Sequence, residues 1–139
     1  MRVVLDTNIV ISAIVWGGLP LKLFEAAAAG TITLYTSPKL MEELRGVISR
    51  PHISKNLLKK GSLPSAAIFY YEKLVVLVSP LSTPIVVLGD PDDDHVVAAG
   101  VACTANLIVS GDSKHLLPLR SHDGIDIVTV RDALERLVA

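Results

Sequence analysis

The stretch MRVVLDTNIVISAI (residues 1–14) joins an apolar run to an aspartate and then returns to apolar sequence. The aliphatic residues Val3–Leu5 predict a short buried strand. Asp6 follows directly, and an ionised carboxylate at the end of an interior strand is costly unless something offsets its charge. Two roles for Asp6 follow from this position: it caps the helix that begins near Asn8, or it holds a cation.

Strands and helices alternate along the rest of the chain. Short apolar runs predict further strands at Ile32–Tyr35, Val75–Val78, Leu107–Val109 and Ile125–Val130. Apolar spacing and capping signals predict helices over Pro20–Ala29, from Pro38 with Ser37 as N-cap, and over Asn56–Lys60, Ser65–Leu74, Asp93–Thr104 and Val130–Val138. This alternation predicts an α/β domain with a mainly parallel sheet covered on both faces. The chain has 139 residues, half of them hydrophobic, and we expect one domain over residues 1–139.

Composition excludes several classes of protein. A single cysteine, Cys103, excludes an internal disulfide and a cysteine-rich zinc site, and its apolar neighbours predict a buried reduced thiol. No basic segment precedes the first apolar run and Asp6 interrupts it, so we expect neither a signal peptide nor a membrane span. These features predict a cytoplasmic protein.

Charge is nearly balanced overall but unevenly distributed. The formal net charge is −1, so a polyanion would have to be met by a local basic patch or by metal ions. The segment Lys39–Lys73 carries seven basic and three acidic residues, a local charge of +4. From Leu81 to the end, four basic residues stand against nine acidic ones, a local charge of −5.

Acidic residues recur where strands end and helices begin. Asp6 and Asp112 follow apolar strands directly or after two small residues, so both are expected at the carboxyl edge of a parallel sheet. The run GDPDDDHVVAAG (89–100) opens a helix, and Glu43 lies on the helix after the second strand. Each acid alone could be a helix cap, a solvated helix residue or a loop residue. Together they would repel one another unless divalent cations lie among them.

The chemistry of such a site follows from its ligands. Carboxylate oxygens without cysteine suit Mg²⁺ or Mn²⁺. Divalent cations held in this way support phosphoryl transfer and phosphodiester hydrolysis. The acidic residues therefore predict a metal-dependent reaction at a phosphate group.

Four blocks of the sequence resemble, in order and spacing, those of the PIN-domain nucleases. The blocks are LDTN (5–8), SPKLMEEL (37–44), DPDDDHVVAAG (90–100) and IVSGDSKHLL (108–117). Among PIN proteins, the resemblance is to the VapC-like toxins of type II toxin–antitoxin systems. It implies a three-layer α/β/α domain with a central, mainly parallel sheet. It also implies a Mg²⁺- or Mn²⁺-dependent endoribonuclease that acts on RNA, forms a homodimer and is held inactive by a protein antitoxin.

The resemblance assigns roles residue by residue. It implies that four acids bind metal and take part in catalysis, namely Asp6, Glu43, Asp93 and Asp112. Thr7, Asn8 and Ser110 match small polar positions that orient carboxylates or water.

Asp94 and His115 are two positions in these blocks at which the family pattern leaves a choice or differs from this chain. Asp94 is the alternative ligand to Asp93, because relatives exist with either spacing to Asp112. We favour Asp93, since the DPxD pattern ends there and Gly100 then occupies a position usually filled by a small residue. The last block of the family often has an aspartate where this chain has His115. This chain therefore lacks one carboxylate that would complete a second metal site.

Two other functions are compatible with parts of the pattern. Another Mg²⁺-dependent phosphotransfer enzyme, such as a haloacid-dehalogenase-like phosphatase, would need a second aspartate where this chain has Asn8. A non-catalytic binding module could keep the fold, although retention of the four acids favours an enzyme. For an RNA substrate, the candidate backbone contacts are Arg45, Arg50, Lys55 and Lys59; alternatively these residues form a solvated helix face.

Overall fold

A computed structural model describes residues 1–83 and 91–138 of the protein. Within these residues the strands are β1 (Arg2–Leu5), β2 (Thr33–Thr36), β3 (Val75–Leu77), β4 (Leu107–Val109), β5 (Ser121–His122) and β6 (Ile125–Val128). They form one sheet in the order β3-β2-β1-β4-β6-β5. All neighbouring strands are parallel except β5 and β6. The predicted mainly parallel sheet is confirmed.

Helices cover both faces of this sheet. In the described residues they are α1 (Thr7–Val15), α2 (Gly18–Ala28), α3 (Pro38–Ile48), α4 (Pro51–Lys59), α5 (Pro64–Leu74), α6 (Pro91–Ala102), α7 (Leu116–Leu119) and α8 (Val130–Val138). Val3 and Leu5 of β1 belong to one buried apolar cluster, whereas Val4 belongs to another. Successive strand residues point to opposite faces, so each cluster is the core between the sheet and one helical layer. The fold is therefore a three-layer α/β/α sandwich.

Several boundaries differ from the sequence prediction. Helix α4 begins at Pro51, not at Asn56, because proline is well suited to a first helical turn; its N-cap Arg50 makes no side-chain capping bond. Helix α6 begins at Pro91, two residues before the predicted start. The short elements β5 and α7 were not predicted. Most of the irregular stretch predicted over Ser79–Pro91 lies outside the described residues.

The Ser37 cap and the buried thiol of Cys103 are confirmed. Ser37 caps α3, since its Oγ accepts the backbone N–H of Leu40 at 3.2 Å, with Pro38 in the first turn. Cys103 is a buried free thiol, and burial raises its pKa. Across the described residues no single helix is long and apolar enough to span a membrane; α1 and α2 meet that criterion only together, with a bend of 98° between them.

Gly46 and Gly100 offer a matched test of helix packing. A Cβ on Gly46 in α3 would meet nothing within 4 Å, so Gly46→Ala should raise the free energy of unfolding by about 0.5–1 kcal/mol. A Cβ on Gly100 in α6 would lie 3.0 Å from Ile108 Cδ1 and 3.3 Å from Ile125 Cδ1. At Gly100 the cost of overpacking exceeds the gain in helix propensity, so Gly100→Ala should lower the free energy of unfolding by about 1 kcal/mol. Urea denaturation of both variants measures this, and equal gains would contradict the packing at Gly100.

Candidate metal centre

An acidic cleft of about 420 Å³ lies at the carboxyl edge of the sheet. Its lining residues are Asp6, Asn8, Ile9, Ser12, Glu43, Asp93, Gly111 and Asp112. The four acids singled out in the sequence thus come together around one cleft, although they are spread over more than a hundred residues of the chain.

Pairing between β1 and β4 places two of these acids. The Asp6 backbone N–H donates to the Val109 carbonyl at 2.9 Å, so the β1–β4 pairing continues one residue past Leu5. Ser110, which is fully buried, donates its hydroxyl to Asp6 Oδ2 at 2.8 Å. The Ser110 hydroxyl oxygen in turn accepts the backbone N–H of Asp112 at 3.0 Å. One serine therefore fixes the Asp6 carboxylate relative to the start of the Asp112 loop.

The Asp6 side chain does not cap α1. Its backbone occupies the N-cap position, and its carbonyl accepts the N–H groups of Ile9 and Val10 at 2.9 and 3.3 Å. The carboxylate makes no capping hydrogen bond. Of the two roles open from the sequence, the side-chain cap is therefore wrong, and the buried carboxylate lines the cleft instead.

Helix α6 contributes Asp93 from its first turn. Asp93 and Asp94 are equally buried, each with 6% of its surface exposed. Asp93 lines the cleft, whereas Asp94 is not among the lining residues. Successive helical residues point about 100° apart, so only one of the two can face the strand ends.

The loop after β4 contributes Gly111 and Asp112 to the cleft lining, and His115 lies next to Asp112. Asp112 Oδ1 accepts the backbone N–H groups of Lys114 and His115 at 3.0 and 3.1 Å. Burial opposes ionisation of Asp112, but the interaction with the Asp93 side chain and the hydrogen bonds from these backbone groups outweigh it, and the pKa of Asp112 is lowered. Asp112 is therefore ionised at neutral pH.

Polar residues of α1 and α3 complete the lining. Glu43, half-buried on α3, is brought there by the helix that Ser37 caps. Asn8 is exposed on α1, and Ser12 lies four residues later on the same helix face. Ser12 is not among the residues predicted from the sequence, although its spacing from Asn8 is a signal for it. Thr7 is buried and does not line the cleft.

The predicted basic residues lie outside the lining of the cleft. Arg45 forms an ion pair with Glu72 of α5. Arg50, Lys55 and Lys59 are exposed at the end of α3 and along α4. Their contact with RNA stays a prediction.

The region that contains these acids matches the sequence model of a known protein family. The sequence model described as a PIN domain matches residues 2–114, a span that contains every acid of the cleft. The chain belongs to the PIN domain family. PIN domains are generally nucleases and usually use a divalent metal, so the fold is of a nuclease type. An uncharacterised protein of Methanocaldococcus jannaschii is 28% identical to this PIN domain over 124 residues, 88% of this chain and 77% of the relative.

The donor set of this PIN domain fits a divalent cation. Asp93, Asp112 and His115 each present one potential ligand atom, and these atoms all lie within 4.8 Å of one another. Asp6 and Glu43 add carboxylate oxygens from the other sides of the same cleft. Hard oxygen donors of this kind suit Mg²⁺ or Mn²⁺.

Proposed function

We propose that this PIN domain is a Mg²⁺- or Mn²⁺-dependent endoribonuclease that hydrolyses RNA phosphodiester bonds. The observation that carries the proposal is the convergence of Asp6, Glu43, Asp93 and Asp112 on one cleft at the carboxyl edge of the sheet. Four carboxylates this close are unfavourable unless cations offset their charge. Membership of a family that generally consists of nucleases supports phosphodiester hydrolysis as the reaction.

The chain's own residues are assigned distinct tasks. Asp6, Asp93 and Asp112 hold the cation, and Ser110 keeps the Asp6 carboxylate in place through its 2.8 Å hydrogen bond. A divalent cation bound there supplies positive charge to the scissile phosphate and lowers the pKa of water. Glu43 enters the cleft from α3 and is the residue we assign to accept a proton from the attacking water.

We assign the polar and basic groups around the cleft to substrate binding. Asn8 and Ser12 line the cleft and offer hydrogen bonds to the phosphate or ribose. Arg50, Lys55 and Lys59 are exposed and can meet neighbouring phosphates along an RNA strand. Arg45 is a weaker candidate, because its charge is already paired with Glu72.

We further propose that the enzyme is the toxin of a type II toxin–antitoxin pair in the cytoplasm. The four blocks that resemble VapC-like toxins support this role. Large apolar side chains exposed to solvent, including Trp16, Leu63, Phe69 and Tyr70, are compatible with contacts to an antitoxin and to a second copy of the chain.

A substrate comparison tests the proposed reaction. Purified protein is incubated with a single-stranded RNA or with a nucleotide monoester, each with Mg²⁺, with Mn²⁺ and with excess EDTA. We expect internal cleavage of RNA with metal and none in EDTA. Hydrolysis of the monoester alone would favour a phosphatase, and RNA binding without cleavage would favour a non-catalytic module. RNA cleavage that survives chelation would contradict the metal-dependent mechanism.

A further inference from the structure

We infer that His115 is a metal ligand, and that it makes this cleft prefer Mn²⁺ and later first-row divalent metals over Mg²⁺. The inference rests on the metal site of the proposed function and specifies which cation that site selects. Its basis is the position of one imidazole nitrogen between two carboxylates.

His115 Nδ1 lies within ion-pairing distance of two carboxylates, and the same separations suit coordination of one shared cation. His115 Nδ1 lies 3.6 Å from Asp93 Oδ2 and 3.6 Å from Asp112 Oδ2. A hydrogen bond between nitrogen and oxygen spans about 2.7–3.2 Å, so both separations are too long for one. Two atoms that each lie about 2.1 Å from one cation are about 3.0–3.4 Å apart at octahedral or tetrahedral angles. Each of the two nitrogen–oxygen separations therefore exceeds this range by only a few tenths of an ångström.

The backbone holds His115 in this place. Asp112 Oδ1 accepts the His115 N–H, and the Asp112 carbonyl accepts the N–H of Leu117 at 2.9 Å. Leu116, between them, is fully buried in the apolar cluster on the α6 side of the sheet. The turn from Asp112 to Leu117 is thus fixed at both ends. Because Oδ1 of Asp112 is engaged by the backbone, Oδ2 is the oxygen that faces the imidazole.

An imidazole ligand changes which cation the cleft favours. Mg²⁺ prefers oxygen ligands and retains several waters. Divalent first-row transition metals accept imidazole nitrogen, with affinity rising from Mn²⁺ towards Cu²⁺. A site with Asp93, Asp112 and His115 therefore prefers Mn²⁺ over Mg²⁺ more strongly than a site with an aspartate at position 115.

Metal binding without RNA tests the inference. Isothermal titration of the purified metal-free protein with MnCl₂ or MgCl₂ gives both dissociation constants, and pulsed electron paramagnetic resonance of bound Mn²⁺ detects a coordinated imidazole ¹⁴N. We expect wild-type protein to bind Mn²⁺ about tenfold or more tightly than Mg²⁺ and to show the nitrogen coupling. His115→Asp should abolish the coupling and reduce the Mn²⁺ preference about tenfold.

A second histidine provides the control. His122 Nε2 lies 3.5 Å from Asp123 Oδ2 outside the cleft, so His122→Gln should keep both the coupling and the preference. The inference would be overturned if nitrogen coupling persists in His115→Asp, or if wild-type protein binds Mn²⁺ and Mg²⁺ equally. Neither result would contradict the proposed RNA cleavage. If the wild-type protein shows nitrogen coupling to His115 but cleaves no RNA, this result would support His115 as a metal ligand and contradict the proposed function.

Discussion

Asp6→Asn is expected to reduce RNA cleavage by about three orders of magnitude while leaving the protein folded. The substitution removes a negative charge that we assign to metal binding, and such electrostatic contacts are worth about 10²–10³ in rate or more. The introduced amide keeps an oxygen that can accept the Ser110 hydroxyl, and no side-chain cap of α1 is lost. In metal-free buffer the variant should be as stable as wild type or more stable, because repulsion in the cleft falls.

Three measurements check this expectation. Cleavage rates with Mn²⁺ give the loss of activity, and urea denaturation in EDTA gives the free energy of unfolding. Expression in a bacterial host should arrest growth with the wild-type chain and not with Asp6→Asn. Asp132→Asn, an exposed aspartate in the first turn of α8, is the matched control and should behave like wild type. Marked unfolding of Asp6→Asn would mean that Asp6 is chiefly structural.

Asp93→Asn should lower cleavage by about two orders of magnitude or more, whereas Asp94→Asn should cost about tenfold or less. Both carboxylates are buried at the start of α6, so burial alone does not separate them. Only Asp93 lines the cleft, with Oδ2 3.6 Å from His115 Nδ1. The replacements are nearly isosteric, so the difference in activity reports charge at the cleft.

Cleavage rates of the two variants under identical Mn²⁺ concentrations provide the comparison. A larger loss in Asp94→Asn would move the ligand by one residue along α6. Small and equal losses would show that this turn contributes no ligand, and the proposed active site would then be wrong. Thermal unfolding of both variants in EDTA controls for damage to the fold.

Regular elements with strong local signals were predictable from the sequence. Strand β4 and helix α8 have the predicted bounds, and the Ser37 cap places α3 as expected. The missed elements carry weak signals. β5 is two residues long, and α7 is a four-residue turn that contains Pro118. The start of α4 was missed because Arg50 is not a capping residue type and makes no capping bond.

The candidate site was predictable in its acids but not in its arrangement. Strand ends and the PIN resemblance identified the four carboxylates that line the cleft among the residues that the structure describes. Sequence could not show that β1 lies between β2 and β4, which is what brings Asp6 beside Ser110. It also could not place His115, whose position depends on the backbone bonds to Asp112 and the burial of Leu116.

The pairing of β1 with β4 determines when the cleft can form while the protein is being synthesised. Val3 pairs with Leu107, so β1 must wait for a neighbouring strand that the ribosome adds about a hundred residues later. Contacts between such distant segments form slowly, because a long loop must close first. A growing chain that ends before Asp112 lacks an essential wall of the cleft. We therefore expect the nascent polypeptide to lack a complete cleft, and with it the proposed activity, until Asp112 has left the ribosome.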